Sequence, residues 1–312
     1  MRIGLWIGLC PRLRIGLGIV GAALAVAPLA VPPILAQSQS TELHVRFNSG
    51  QSVVPVYEGW ERVPDGSFNM VFGYLNRNHV EELNIPVSAQ NVFDPGPADR
   101  GQPTYFYPRE NHFIFKVNVP KDWDRKKELV WTLTAHGKAE TARATLLDVW
   151  EIDRKVEVSN NGGGVQVSNE LIARDQPPTV TINPIARVRA GTPVTLTAAV
   201  TDDGIPGSGK PRAPRTLEPT LRGAPPSPVN VPLPTRPRAP QGLSVLWMLY
   251  RGPSKVVFDP EGYVKVVDGK VEVKATFTTA GTYTIRAFGH DGLLRAPADI
   301  TITADGPPSS VR

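Results

Sequence analysis

The sequence predicts an all-β protein: two β-sandwich domains of immunoglobulin-like type behind an N-terminal signal peptide. Three observations carry this. Short segments that alternate apolar and polar residues recur from about residue 41 to residue 304. Clusters of Gly, Pro and Asn punctuate them, which is the spacing of strands and turns. No amphipathic helix of useful length occurs after residue 36. At 312 residues the chain has room for about two domains, each large enough to bury its own core.

Residues 1–36 have the composition of a secretory signal. Arg2, Arg12 and Arg14 precede the apolar run Ile15–Val31, and Ala36 stands before the polar stretch QSQST. Retention of this segment as a membrane anchor is the alternative. Cys10 is the single cysteine, and it precedes the apolar run. A mature chain cut after Ala36 therefore has no disulfide, no thiolate chemistry and no Cys-bound metal. The expected location is exported, periplasmic or extracellular.

Residues 41–150 form the first expected sandwich. Leu43, Val45 and Phe47 alternate. Phe68, Met70, Phe72 and Tyr74 share a face, as do Phe113, Phe115, Val117 and Val119, and then Leu129, Trp131 and Leu133. His136-Gly137-Lys138 makes a turn, after which Ala142, Ala144 and Leu146 return. The Pro/Gly-rich loop 94–110 ends in Tyr105, Phe106 and Tyr107. Three consecutive rings cannot all face one side of a strand. At least one must leave this core, either to meet a partner or a sugar face, or to pack under the loop or on the second domain. Asp99 and Arg100 are expected to pair with each other or to cap a turn.

Residues 151–175, with Asn160-Asn161-Gly162-Gly163-Gly164, read as a flexible linker, and LLDVWEIDRKVEVSNNGGG around it offers one more strand before the chain loosens. The second sandwich, 176–305, opens on QPPTVTI. Val194, Leu196, Ala198 and Val200 alternate, and Trp247 sits where a sandwich core tryptophan is expected. Lys270–Phe277 alternates strictly, with Val271, Val273, Ala275 and Phe277 on one face. After Ala280-Gly281, Tyr283, Ile285 and Ala287 face inward. Gly281-x-Tyr283 resembles the tyrosine corner, in which the phenol bonds back to upstream backbone. Ile285 stands where antibody domains carry a cysteine, so apolar packing replaces the disulfide.

PPTVTI, AGTPVTLTAAVTDDG at 190–204, Trp247, GTYTIRAFGHDG at 281–292 and DITIT at 299–303 resemble PKD and related bacterial immunoglobulin-like domains of exported proteins, over about 176–304. Here Trp247 runs into MLYRGPSKVVF instead of the family's usual turn, and a Pro-rich insert interrupts the domain. The resemblance implies a non-catalytic module used in surface contact, polysaccharide attachment or spacing.

The insert, 205–242, holds eleven prolines and six basic residues against Glu218, and reads as an extended arm. Arg236 and Arg238 are its candidate contacts, for an anionic polymer or lipid headgroups. The insert at +5 and the N-terminal segment at +3 together exceed the formal charge of +5, leaving the folded remainder acidic at −3. That excludes a nucleic-acid platform.

Chemistry is sparse. His44, His79, His112, His136 and His290 show no metalloprotease spacing, and there is no nucleophile elbow or phosphate loop. Glu81 and Glu82 are adjacent in a strand-like stretch and point to opposite faces. Asp202, Asp203 and Asp291 end two strands whose turns can meet, and are the candidate ligands for Ca2+; no other cofactor is implied. The function expected is therefore a non-catalytic envelope protein that binds or braces another envelope protein, through the insert and Tyr105, Phe106 and Tyr107. A polysaccharide-binding module is the alternative, and a loop-built hydrolase with two convergent carboxylates in a cleft comes last. Membrane contact is expected only through a retained N-terminal segment or the basic insert.

Overall fold

The computed structural model describes residues 47–160, 168–185, 187–206 and 242–306. The signal-peptide expectation and most of the insert, with Arg236 and Arg238, lie outside these residues. All described strands belong to one compact unit, Val45–Arg312.

The N-terminal sandwich opens on β1 (Val53–Arg62), a strand the alternation did not reveal. Its register slips between Tyr57 and Gly59, which breaks the period-two pattern. Phe47, expected in the opening strand, lies instead in an irregular segment and is exposed. β1 pairs with β2 (Phe68–Asn76), which pairs with β6 (Arg109–Val119). A second sheet joins β4 (Asn91–Asp94), β7 (Leu129–Ala135) and β8 (Lys138–Ala144). Both central residues of the β7–β8 turn, His136 and Gly137, have positive φ, the geometry of a two-residue type I′ hairpin. Phe72, Phe93, Phe115 and Trp131 interlock in the core at centroid separations of 5.0–6.1 Å.

Of the expected linker, residues 161–167, with Asn161-Gly162-Gly163-Gly164, lie outside the described residues. A 3-10 turn at Asp148–Trp150 and two short helices, α1 (Arg154–Asn160) and α2 (Asn169–Arg174), stand where the extra strand and loose chain were expected. The Asp153 carboxylate accepts from the Lys155 and Val156 N–H groups at the start of α1, and Ser168 caps α2. Val158 and Ile172 then bury themselves with Leu293 and Leu294.

The C-terminal sandwich packs two sheets. One has the order β13–β15–β11–β9: β9 (Thr179–Ile182), β11 (Val194–Thr201), β13 (Val256–Asp259) and β15 (Lys270–Phe277). The other has the order β10–β17–β16–β12–β14: β10 (Arg187–Arg189), β12 (Ser244–Arg251), β14 (Tyr263–Lys265), β16 (Gly281–His290) and β17 (Arg295–Asp305). β10 runs parallel to β17, while the other pairs are antiparallel. Leu196, Trp247, Val273 and Ile285 fill the space between the sheets, so apolar packing does occupy the disulfide position. The Tyr283 hydroxyl donates to the Thr279 carbonyl at 2.8 Å, which closes the tyrosine corner.

The strand order departs from a simple sandwich at one place. Leaving β12 at Arg251, the chain crosses to the opposite sheet as β13, then returns as β14. β14 covers only Ser244–Leu246 of the β12 edge. Past Leu246 that edge is open to another element.

Candidate functional site

The element that meets the open edge is the aromatic segment from the N-terminal sandwich. Tyr105 and Phe106 form β5 (Tyr105–Phe106), paired with β3 (Leu83–Asn84). Side chains alternate along it. Phe106 is fully buried in the N-terminal core, while Tyr105, 5% exposed, and the partly buried Tyr107 reach the core of the C-terminal sandwich. The Tyr107 hydroxyl accepts the Leu249 N–H at 2.9 Å, and the Thr104 N–H donates to the Tyr250 carbonyl at 3.0 Å. These two bonds, one from backbone and one to a side-chain hydroxyl, occupy the β12 edge where β14 stops.

The three rings expected to contact a partner are therefore internal. The triplet takes its alternation from strand geometry, and both of its faces are already covered. Which element would cover the second face was not visible from the sequence, because Leu249 lies 142 residues from Tyr107.

Ionic contacts surround this seam. The Tyr105 hydroxyl donates to one Glu82 oxygen, and Lys255 Nζ donates to the other at 2.8 Å. Burial, followed by the Glu82 hydrogen bond, pushes the Tyr105 phenol up, so it stays a neutral donor. Glu81 turns the other way, to the Gly50 N–H and His136. Asp99 bridges to Arg251 across the seam with bonds of 2.9 and 2.7 Å, instead of pairing with Arg100. That pairing, and the Gly101 N–H it also accepts, hold its carboxyl below the usual range, with the Arg251 hydrogen bond the larger cause. Arg286 of β16 donates to the Ile114 carbonyl of β6 at 2.6 Å, holds Asp299 at 2.7 and 2.6 Å, and lies 3.6 Å from the Tyr250 ring centre. Ile114, on the outward face of β6, is buried in one cluster with Met248, Tyr250 and Phe288 of the C-terminal sandwich.

Beside the seam the double crossing of the chain leaves a cavity of about 520 Å3. β12 and β13 form one wall, and Tyr107, Arg109 and Glu82 close the other side. Glu261 stands exposed at its rim.

The aspartates expected to bind Ca2+ do something else. Asp202 accepts the Gly204 N–H, Asp203 accepts the Ile205 and Gln176 N–H groups, and Asp291 accepts those of Leu293 and Leu294. They cap turns, as short acidic side chains do. Among the described residues no group of three His, Cys, Asp or Glu side chains is placed to hold a metal. The sequence missed a fourth member, Asp175, which is fully buried with neither carboxylate oxygen hydrogen-bonded. Burial, then the charges of Asp291, Asp203 and Asp202, raise its carboxyl to about 7; burial raises Asp291 to about 6.

The strand order and the closed tyrosine corner make this an all-β protein with an immunoglobulin-like β-sandwich. No protein-family model and no curated protein matches the chain. Among solved structures it is similar to the fibronectin(III)-like modules of CbhA from Clostridium thermocellum, at 10% identity over 84% of this chain and 98% of that one, with a TM-score of 0.24. It is also similar to the D00-D0 domain of Intimin, at 10% identity over 81% and 100%, with a TM-score of 0.25. An Ig complex of titin M10 and obscurin-like 1 aligns at 18% identity over 44% and 100%, with a TM-score of 0.22. Superpositions this loose carry no functional argument.

Proposed function

We propose that this chain is a non-catalytic, exported binding or bracing module. Its two sandwiches are locked side by side, and it presents its loops and the Pro-rich insert 205–242 to another component of the cell envelope. The observation that carries this reading is the aromatic seam. Tyr105 and Tyr107, with the Arg286, Arg251 and Lys255 contacts, are spent on holding one sandwich against the other, while Phe106 anchors the segment in the N-terminal core. A fixed junction suits a spacer or brace.

Two points weigh against the other readings. The polysaccharide reading relied on exposed rings at 105–107, and these are internal. A hydrolase needs two free carboxylates converging on a cleft. Glu82, which lines the cavity, already has Tyr105 and Lys255 on its two oxygens. Export rests on the composition of residues 1–36, and the basic contacts on Arg236 and Arg238.

The test is a cross-linked pull-down of tagged full-length chain from its own cell envelope, with Arg236→Ala/Arg238→Ala in parallel. The expected result is one protein partner, lost in the double variant. Recovery of wall polysaccharide alone, by both proteins alike, would replace this reading with the glycan one.

A further inference from the structure

Asp175 closes α2. Its backbone N–H donates to the Leu171 carbonyl at 2.9 Å, and its carbonyl accepts from Arg154 of α1. Its carboxyl is fully buried, and neither oxygen has a hydrogen-bond partner. Arg154 does not serve it, since that guanidinium bonds the Asp175 and Ala173 carbonyls and the Gln176 amide oxygen. A carboxylate without water, hydrogen bonds or a paired cation is the costly form of an acid in such a place. The neutral acid is the form that fits.

The surroundings push the same way. Asp203 Oδ2 accepts the N–H of Gln176, the next residue, at 3.0 Å. Asp291 Oδ1 accepts the Leu293 and Leu294 N–H groups, while its buried Oδ2 has no hydrogen-bond partner. The charges of Asp291, Asp203 and Asp202 press on Asp175, against Arg154. Glu157 of α1 is half-buried and interacts with Lys116, Glu61, Arg295 and Arg154. In the β16–β17 turn His290 Nδ1 accepts the Gly292 N–H, and Arg295 lies over the Phe288 ring. Glu170 and Arg174, the other charges of α2, are exposed.

The structure that depends on this acid is small. α1 and α2 have seven and six residues, and their buried side chains Val158 and Ile172 cluster with Leu293 and Leu294. Four side chains can part without either sandwich unfolding.

We propose that Asp175 is a proton-operated latch: as the neutral acid it keeps α1 and α2 docked on the Leu293–Leu294 turn, and its ionisation undocks them. An exposed aspartate ionises near 3.9, and the docked one near 7. Between those values undocking releases a proton, so the undocking constant rises about tenfold per pH unit and then levels off. The helices are held most firmly in acid and least firmly at neutral pH and above. This goes beyond the bracing role and does not depend on it.

The test is amide hydrogen exchange of the full-length chain, read at Ile172 and Asp175, whose N–H groups donate to the Ser168 and Leu171 carbonyls. After division by the intrinsic exchange rate, protection is expected to fall roughly fifty- to a hundredfold from about pH 5 to about pH 8. This opening is expected to show little urea dependence, unlike that of β15. Asp175→Asn, neutral at every pH, should hold protection nearly constant. Should that variant fail to fold, the carboxyl carbon resonance of Asp175 in the wild type carries the test, with an expected midpoint near 7. A midpoint in the ordinary aspartate range, pH-independent protection in the wild type, or a urea dependence equal to that of β15 would each overturn the proposal. So would Ca2+ restoring protection at about pH 8, which would make the acids a cation site instead.

Discussion

Replacing Arg286 with methionine should loosen the join between the sandwiches more than it harms either sandwich alone. The side chain is 10% exposed and spans the seam. Its bond to the Ile114 carbonyl, 2.6 Å long, is buried and charge-assisted, and such bonds contribute about 1.5–3 kcal/mol. The guanidinium over Tyr250, 3.6 Å from the ring centre, adds about 1–2 kcal/mol in a desolvated setting. Against this, the methionine variant no longer desolvates a charge, a cost of several kcal/mol in the wild type, and keeps an apolar stem in place of the arginine methylenes. Asp299 is 39% exposed and so is rehydrated when its partner goes. The net expectation is a loss of about 2 kcal/mol, measured by urea unfolding followed by circular dichroism. Asp299→Asn should cost less, since it leaves the bond to Ile114 intact. A loss below about 0.5 kcal/mol for Arg286→Met, the scale of an ordinary surface change, would refute the view that this residue joins the sandwiches.

Three further outcomes rest on the same packing. Phe106→Ala empties a fully buried ring position and should cost about 3–5 kcal/mol in thermal or chemical denaturation; a near-neutral result would mean the ring is on the surface after all. Gly59→Ala should destabilise strongly, because φ is +133° and the new Cβ would stand 2.5 Å from Ile152 Cγ2 and 2.6 Å from the Trp150 carbonyl. Its readout is a lowered urea midpoint. Asp175 and Asp291 have folded-state values near 7 and 6, above the unfolded value of about 3.9. Between about pH 4 and 7 the folded state thus binds more protons than the unfolded one, so these groups add stability below pH 4 that is lost as pH rises to about 7. Urea midpoints at pH 5 and pH 8 test this, and Asp175→Asn should flatten the difference.

Much of the C-terminal sandwich was legible in the sequence because its strands obey one rule without interruption. Lys270–Phe277 alternates residue by residue and becomes β15 with the same bounds. β1 was missed because the slip at Gly59 moves the pattern to the other face midway. The helices at 154–160 and 169–174 are too short to show a period, and depend on caps and on burial against Leu293 and Leu294. The junction was hidden for another reason. Tyr105 and Tyr107 look like spare aromatics until Glu82, Leu249 and Lys255 are seen around them, and nothing local in the sequence announces those neighbours. Asp175 was equally silent, because its oddity is its burial and not its residue type.

The central claim is that the seam at residues 104–107, with Arg286, makes the two sandwiches one cooperative body. Native-state amide hydrogen exchange under increasing urea tests it most directly, comparing β7 in the N-terminal sandwich with β15 in the C-terminal one. Both strands are expected to open with the same free energy and the same urea dependence, and to separate in Arg286→Met. Two distinct opening free energies in the wild-type chain, with one sandwich exchanging while the other stays protected, would contradict it.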